Sequence, residues 1–403
     1  MNDQTQFDPT QIPPPLLTNP ADDPFAHRTI AIRKPAILDT VLADHVDQYP
    51  KEIVRALRDL RDELARGRPV RPLHTTAPDG PDWAAAWQVY QNKTWFNIPW
   101  YFAEVFFYRR LLEAVQYFGP GPWAGIDPFL PRKQAELAHD VPWQVLRLAL
   151  EYATNGADEN LGLLLRYCVW GNRVDLSHPQ IVEELRRQAG HKMQGDLLAD
   201  DTDTVLAHLQ EVEPDRIDFV CDNAGTELLL DLALADFLLR YDWSKQITLH
   251  VKAHPTYVSD TTPADIELTL AALHSHSNDL AALAGRVNDY RDQGRLHVRA
   301  DLFWNSHRFF WEIPSSLLAE LTQAQLVIFK GDANYRRLLG DAHWPADTPF
   351  AQAIPYFPVS FVTLRTMKSD VVVGLQPGQA EALDRSDPDW RVNGKRAVIQ
   401  AVI

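Results

Sequence analysis

Cysteine is almost missing from this sequence: Cys168 and Cys221 are the two in 403 residues. Both lie in apolar runs, as buried thiols do, and nothing in that count suggests a disulfide, so a reducing compartment fits. Positive charge is also short, with 39 Lys and Arg against 54 Asp and Glu and a net charge of −15. That balance argues against nucleic acid, whose binders carry basic patches. It leaves an anionic small molecule open, because a local metal and a few cations invert the local field. No apolar run reaches membrane-spanning length, and the polar, acidic N-terminus is unlike a signal peptide. The expectation is a cytoplasmic protein with no membrane partner. The usual nucleotide and hydrolase motifs are missing too: there is no Walker A sequence and no Gly-x-Ser-x-Gly elbow. The glycines at 119, 121 and 125 are interleaved with proline and follow a helix, so they make no dinucleotide loop.

What is present is ordinary globular composition, 45% hydrophobic and 23% charged, in a chain long enough for one to three domains. Residues 1–35 hold seven prolines and read as an extended strap or a disordered lead-in. Residues 36–213 read as helices and loops. They include an aromatic helix over Trp95–Tyr117 that carries Glu104, Arg109 and Arg110. The rarity of buried charge places those three at the edge of a core helix; a Glu104 that reaches a ligand crevice is the alternative. The helix near 158–170 ends at Gly171, a good terminator, and Ser177 is a natural N-cap. Capping needs do not explain why Asn172 and Asp175 stand together, and a polar cluster that helps close a pocket is the expectation. From 214 to 403 the pattern alternates between helices and apolar strands near 217–221, 247–252, 295–300, 325–329, 359–364, 371–375 and 397–402. The fold class expected is α/β, a doubly wound and mainly parallel sheet domain preceded by an N-terminal helical domain.

Four strand-terminal stretches gather polar groups. Ile217–Cys221 stops at Asp222-Asn223, and Gln246–Lys252 leads to Ser259-Asp260. Both lie past the carboxyl end of a strand, where open parallel sheets hold ligands. Two carboxylates and a carboxamide there make an all-oxygen set that suits Mg²⁺ or Mn²⁺ better than zinc. The other two stretches run from Gly331 to Arg337 and from Arg365 to Asp370. They bring Arg336, Arg337, Arg365 and Lys368, which suit an anion such as phosphate. Each has a plainer explanation: Asp222 and Asp260 as helix caps, the arginines as solvated charges, Lys368 as a surface lysine. Asp201-Thr202-Asp203-Thr204 imitates a phosphatase nucleophile motif, but no apolar strand precedes it and a helix cap is the better reading. His274 and His276, two apart on a helix, point to different faces.

The run Asp222 to Asp231, then Lys252 to Asp260, Gly331 to Arg336 and Arg365-Thr366-Met367-Lys368 resembles the damage-control phosphatase family. That family has also been catalogued as a domain of unknown function and as acidic-residue-methyltransferase-like. The Arg-Thr-x-Lys signature is similar to the subgroup acting on sugar phosphates, as are Pro99 to Arg110 and Trp170 to Ser177. The resemblance implies a divalent-metal-dependent phosphatase for sugar phosphates such as fructose 1-phosphate. Asp222, Asn223 and Asp260 would hold Mn²⁺ or Mg²⁺, with Co²⁺ or Ni²⁺ as alternatives. Asp222-Asn223, the stretch Asp332, Ala333, Asn334, Tyr335, Arg336, and Lys368 would contact substrate, with Asp222 and Lys368 catalytic; Glu104, Asn172, Asp175 and Arg365 are further candidate substrate-binding residues. Ala333 and Met367 depart from the usual pattern at uncharged positions. The rival reading, an S-adenosylmethionine-dependent carboxyl methyltransferase, wants a glycine-rich loop after the first strand, and Asp222-Asn223-Ala224-Gly225 has one glycine. A non-catalytic sugar-phosphate binder is the third reading.

Overall fold

A computed structural model describes residues 8–74, 76–153, 156–171 and 196–403. Its seven strands form one sheet: β1 (Leu197–Asp200), β2 (Arg216–Val220), β3 (Gln246–Lys252), β4 (Leu296–Asp301), β5 (Leu326–Lys330), β6 (Phe361–Thr366) and β7 (Ala397–Val402). The order across the sheet is β1-β7-β6-β5-β2-β3-β4. Every neighbouring pair is parallel except β6 with β7. The helices that bear on the site are, in chain order, α1 (Lys34–Asp44), α2 (Lys51–Ala65), α3 (Trp100–Ala114), α4 (Leu130–Ala138), α5 (Asp140–Tyr152), α6 (Asp158–Trp170), α7 (Thr202–Glu211), α8 (Thr226–Arg240), α9 (Pro263–His276), α10 (Asn278–Asp292) and α11 (Gly331–Leu338). This is a doubly wound, mainly parallel α/β sheet preceded by an N-terminal helical region.

The central strands are apolar throughout because both faces are covered, and alternate side chains serve different cores. On β5, Leu326 and Ile328 join a core built with α5, α6, α8, α9 and α10. Val327 and Phe329 face the opposite way, into a core shared with α1, α2 and α3. The N-terminal helices therefore cover one sheet face, and α8, buried along Thr226–Leu239, is packed from all sides on the other.

Three sequence readings are corrected here. β1 lies in the stretch read as helices and loops; it is only four residues long, preceded by Asp196 and ended by Asp200, but β7 offers it a parallel partner at the sheet edge. Val371–Leu375 is no strand. Its main chain is satisfied by side chains and loop carbonyls instead: Arg365 Nη1 donates to the Val371 carbonyl (2.6 Å), Gln400 Nε2 donates to the Val373 carbonyl (2.9 Å), the Val373 amide donates to Tyr335 Oη (3.2 Å), and the Gly374 and Leu375 amides donate to the Thr348 and Ala346 carbonyls. The charges of α3 are not at its edge: thirteen of its fifteen residues are buried, Glu104, Arg109 and Arg110 among them. Segment 14–18 and α1 cover the outer side. The Leu16 amide donates to the Asp341 carbonyl (3.0 Å), and the Trp100 amide to the Leu16 carbonyl (2.9 Å). Each buried charge meets a partner. Lys34 Nζ lies 2.5 Å from Glu104 Oε1, Arg109 forks onto Asp79 (2.7 and 3.0 Å), and Arg110 donates to the Arg71 carbonyl (2.7 Å).

Sheet and helices are tied most tightly at Lys330, the fully buried last residue of β5. Its ammonium meets Asp231 Oδ1 (2.7 Å) and Glu227 Oε1 (3.0 Å) on α8, and the Cys168 carbonyl (2.9 Å) on α6. Lys330→Met would leave two buried carboxylates without their cation. Urea unfolding should show a loss of roughly 3–5 kcal/mol; an unchanged midpoint would mean that the carboxylates are compensated elsewhere.

Candidate active site

The strand order turns between β2 and β5. The chain goes from β2 outward to β3 and β4, then returns to β5 and leaves the other way to β6. Doubly wound sheets hold ligands at such a point, because the connections diverge there and open a crevice. Asp222 follows β2 and Gly331 follows β5, and the two strand ends meet. A Cβ on Gly331 would overlap the Asp222 carboxylate, and Gly331 also holds φ at +82°. Glycine is required on both counts.

The loops after β2 and β3 are spliced together by their backbones. Asn223 and Asp260 form an antiparallel bridge, the Ala224 amide donates to the Ser259 carbonyl (2.7 Å), and the Thr261 amide to the Asp222 carbonyl (2.8 Å). Side chains repeat the splice. Ser259 Oγ donates to Asn223 Oδ1 (2.5 Å), and Asn223 Nδ2 donates to Asp222 Oδ2 (2.7 Å) and Glu227 Oε2 (2.9 Å). Just upstream, Tyr257 and Val258 hold φ at +49° and +72°. Two side-chain-bearing residues in the left-handed region cost about 1–3 kcal/mol each, and such strain gathers at functional sites.

Helix capping does not account for the two aspartates. The first turn of α8 is closed from another helix: Glu136 of α4 accepts from the Thr226 amide (2.9 Å) and hydroxyl (2.8 Å). The α9 N-terminus is a capping box, Asp265 accepting from the Thr262 amide (2.8 Å) and hydroxyl (2.7 Å). Asp222 and Asp260 are left to the crevice. Burial pushes the Asp222 carboxyl well above the ordinary carboxylate range, Glu227 and Asp260 push it further, and Lys368 and Lys252 oppose them. Burial likewise raises Asp260 to about 6, against the pull of Lys252 and Lys133. Lys252 Nζ lies 3.3 Å from Asp260 Oδ2, which accepts no hydrogen bond, and Lys133 Nζ donates to the Asp260 carbonyl (3.0 Å) and to Asp265 Oδ2 (2.7 Å).

The residues expected to clamp an anion fall into two groups. The stretch from Asp332 to Arg336 is not a loop but the body of α11, whose first residues adjoin Asp222. Arg336 and Arg337 sit in its last turn, where cations complement the helix dipole. Arg336 stacks on Trp100, 3.2 Å from the ring centre, and donates to Asp341 Oδ1 (2.7 Å). Arg337 donates to the Phe303 and Arg308 carbonyls (3.0 and 2.8 Å). Arg365 lies over the Tyr335 ring and grips Asp332 Oδ1 (2.7 Å), the Val371 carbonyl and Ser369. Burial acts to raise Asp332, yet Arg365 and Arg336 beside it hold its carboxyl below the ordinary range. These arginines brace the frame. Lys368 differs: it is half-buried and its charge acts on Asp222.

The other sequence candidates are placed as follows. Ala333 lies in the first turn of α11, half-buried; Asn334 donates to the Lys330 carbonyl (2.9 Å), and Tyr335 Oη to Gln400 Oε1 (2.9 Å). Glu104 is buried beside Lys34 and Tyr108, its Oε2 without a hydrogen bond, and its charge acts on Arg336 and Tyr257. Asn172 and Asp175 lie outside the described residues. Sequence reasoning passed over Glu227, Lys252, Lys330, Lys133 and Glu136. A lysine closing an apolar strand was the available signal for Lys252 and Lys330; nothing local marked Glu136, ninety positions from Thr226.

Fold and strand ends together define a doubly wound α/β protein with buried acidic side chains gathered at its switch point. The chain belongs to the damage-control phosphatase ARMT1-like domain family, whose model matches residues 25–383. It is 32% identical to the zebrafish (Danio rerio) damage-control phosphatase ARMT1, covering 96% of this chain and 97% of that one. The mouse (Mus musculus) protein of that name is 31% identical over 96% and 98%, and the human (Homo sapiens) one 29% over 93% and 96%. A solved DUF89 family protein from Pyrococcus horikoshii superposes with a TM-score of 0.51 at 14% identity, covering 93% of this chain and 97% of that one, a likeness of fold. No helix among the described residues is long and apolar enough to cross a membrane.

Gly331→Ala should displace the Asp222 carboxylate and cost about 1–3 kcal/mol in chemical unfolding. Wild-type stability in that variant would mean that the two strand ends are not held as tightly as described.

Proposed function

We propose that this protein is a divalent-metal-dependent phosphatase acting on phosphate monoesters of small metabolites, above all sugar phosphates such as fructose 1-phosphate. Membership of the damage-control phosphatase family supports phosphatase chemistry. The observation that carries the finer reading is the pairing of two surfaces across one crevice. On one side stand Asp222, Asn223 and Asp260, and on the other the N-terminus of α11 with Lys368.

The acid side fits a hard cation. Its donors are all oxygen, Asp260 Oδ2 is buried with no hydrogen bond and the Lys252 ammonium 3.3 Å away, and burial, with Glu227 and Asp260 adding to it, raises the Asp222 carboxyl. Among the described residues no three His, Cys, Asp or Glu side chains converge as a metal cluster, which leaves the Asn223 amide as third protein donor and water to complete the shell. A bound Mn²⁺ or Mg²⁺ supplies charge neutralisation at the phosphoryl group and acidifies water.

The chain's own residues do the rest. The first amides of α11 point out of the helix without intrahelical partners, and a helix N-terminus takes a phosphate in this way. The matching N-terminus of α8 is closed by Glu136, whereas among the described residues no side chain caps α11 at Lys330. Lys368 brings a full charge toward non-bridging oxygens, where developing charge is stabilised. Arg365 and Asp332 hold the Lys368 loop: the Lys368 amide approaches Asp332 Oδ1 (3.4 Å), and Arg365 grips the same oxygen. Lys368 is the cation assigned to the phosphate because its charge acts on Asp222.

Phosphate release across a panel of sugar phosphates, with chelator and with added divalent ions, tests this reading. Release from hexose monophosphates, lost with chelator and restored by Mn²⁺ or Mg²⁺, is expected. Full activity in chelator, or no release from any sugar phosphate, would contradict it. On the best substrate, Lys368→Met should lose roughly 2–4 kcal/mol in kcat/KM, the range for removing one charge-stabilising donor. Wild-type kinetics would show the phosphate bound elsewhere.

A further inference from the structure

We propose that Glu227 is a positioning residue that fixes which end of the Asn223 amide faces the acidic crevice; the proposal rests on the metal-dependent reading above. A side-chain amide has two ends of nearly equal shape and opposite hydrogen-bonding character, and an ionised carboxylate only accepts. Asn223 Nδ2 lies 2.7 Å from Asp222 Oδ2 and 2.9 Å from Glu227 Oε2. Turning the amide over would set its oxygen against two carboxylate oxygens. Glu227 is able to impose this because it is itself immobilised. It is 1% exposed on the first turn of α8, and Lys330 lies 3.0 Å from its other oxygen. Lys330 is anchored in turn by Asp231 and the Cys168 carbonyl.

The consequence appears at the opposite end of the amide. Asn223 Oδ1 accepts one proton, from Ser259 Oγ at 2.5 Å, and its second lone pair remains for a cation. A turned amide would offer an amino group, which has no lone pair to give a metal. Glu227 thus makes Asn223 an oxygen donor without touching the ion. Groups one step removed from a metal are worth about ten- to a hundredfold in affinity.

Glu227→Gln tests this, being isosteric and leaving Lys330 its Asp231 partner. Lys330 demands an acceptor, so the new amide would turn its oxygen to Lys330 and its amino group to Asn223, favouring the wrong end of Asn223. Mn²⁺ binding by metal-free protein, followed by the electron paramagnetic resonance of the free ion, should show Kd raised about ten- to a hundredfold. Adding Asn223→Asp should restore Mn²⁺ affinity, because a carboxylate has no wrong end and accepts from the new amino group. A wild-type Kd in Glu227→Gln, or a double variant no better than the single one, overturns the proposal. A lowered unfolding temperature with Kd unchanged in the folded protein likewise shows a purely structural Glu227. Asp222→Asn separates the two readings. If wild type binds no Mn²⁺, or Asp222→Asn binds it equally well, the metal reading falls and this proposal with it. If Asp222→Asn alone loses the ion, only the role of Glu227 falls.

Discussion

Three buried carboxylates, Asp222, Glu227 and Asp260, lie around Asn223 without converging on one point, and the structure depends on the lysines that make this tolerable. Asp222, Glu227 and Asp260 are each buried; burial raises the cost of charging Asp222 and Asp260, and Glu227 adds to both. Carboxylates so placed need positive charge nearby. Lys252 comes from the end of β3, Lys330 from the end of β5 and Lys133 from α4, all three almost wholly out of solvent. The cations therefore arrive from two strands and from the helical region. Tying the sheet to its cover and holding the acids in place are one set of contacts.

The same economy explains the division among the basic residues. A guanidinium presents several donors in a rigid fork and suits multiple acceptors at once, whereas an ammonium acts as a compact charge. Arg365 joins Asp332, the Val371 carbonyl and Ser369, so the turn after β6 is built around its fork. Arg336 and Arg337 complete the far end of α11. Lys368, on the turn that Arg365 shapes, is carried toward Asp222. Arginine makes the frame rigid.

Much of this was legible in the sequence, because strand ends in an α/β sheet are marked by where apolar runs stop. Asp222 and Asp260 stood at two such stops, and the parallel fold makes their convergence a consequence of topology. Six of the seven strands followed from β-branched runs; β1 did not, since its pairing depends on β7, some two hundred residues away. Sequence reports the charge of the arginines of α11 and β6 but not the acceptors folded around them. The burial of Glu104 was hidden for the same reason: it depends on α1 and on the segment at 14–18, neither of which marks α3 locally. Glu227 was visible four residues beyond Asn223, but only coordinates show that the two side chains meet.

The central claim is that the acid side of the crevice binds a divalent ion and the α11 side binds phosphate. Diffraction from crystals grown with Mn²⁺ and inorganic phosphate, measured for anomalous signal at the manganese edge, addresses both halves at once. The account predicts one strong peak bounded by Asp222, Asn223 and Asp260, with phosphate oxygens between it, the α11 N-terminus and Lys368. A peak elsewhere, no peak at saturating Mn²⁺, or phosphate on another surface would contradict it.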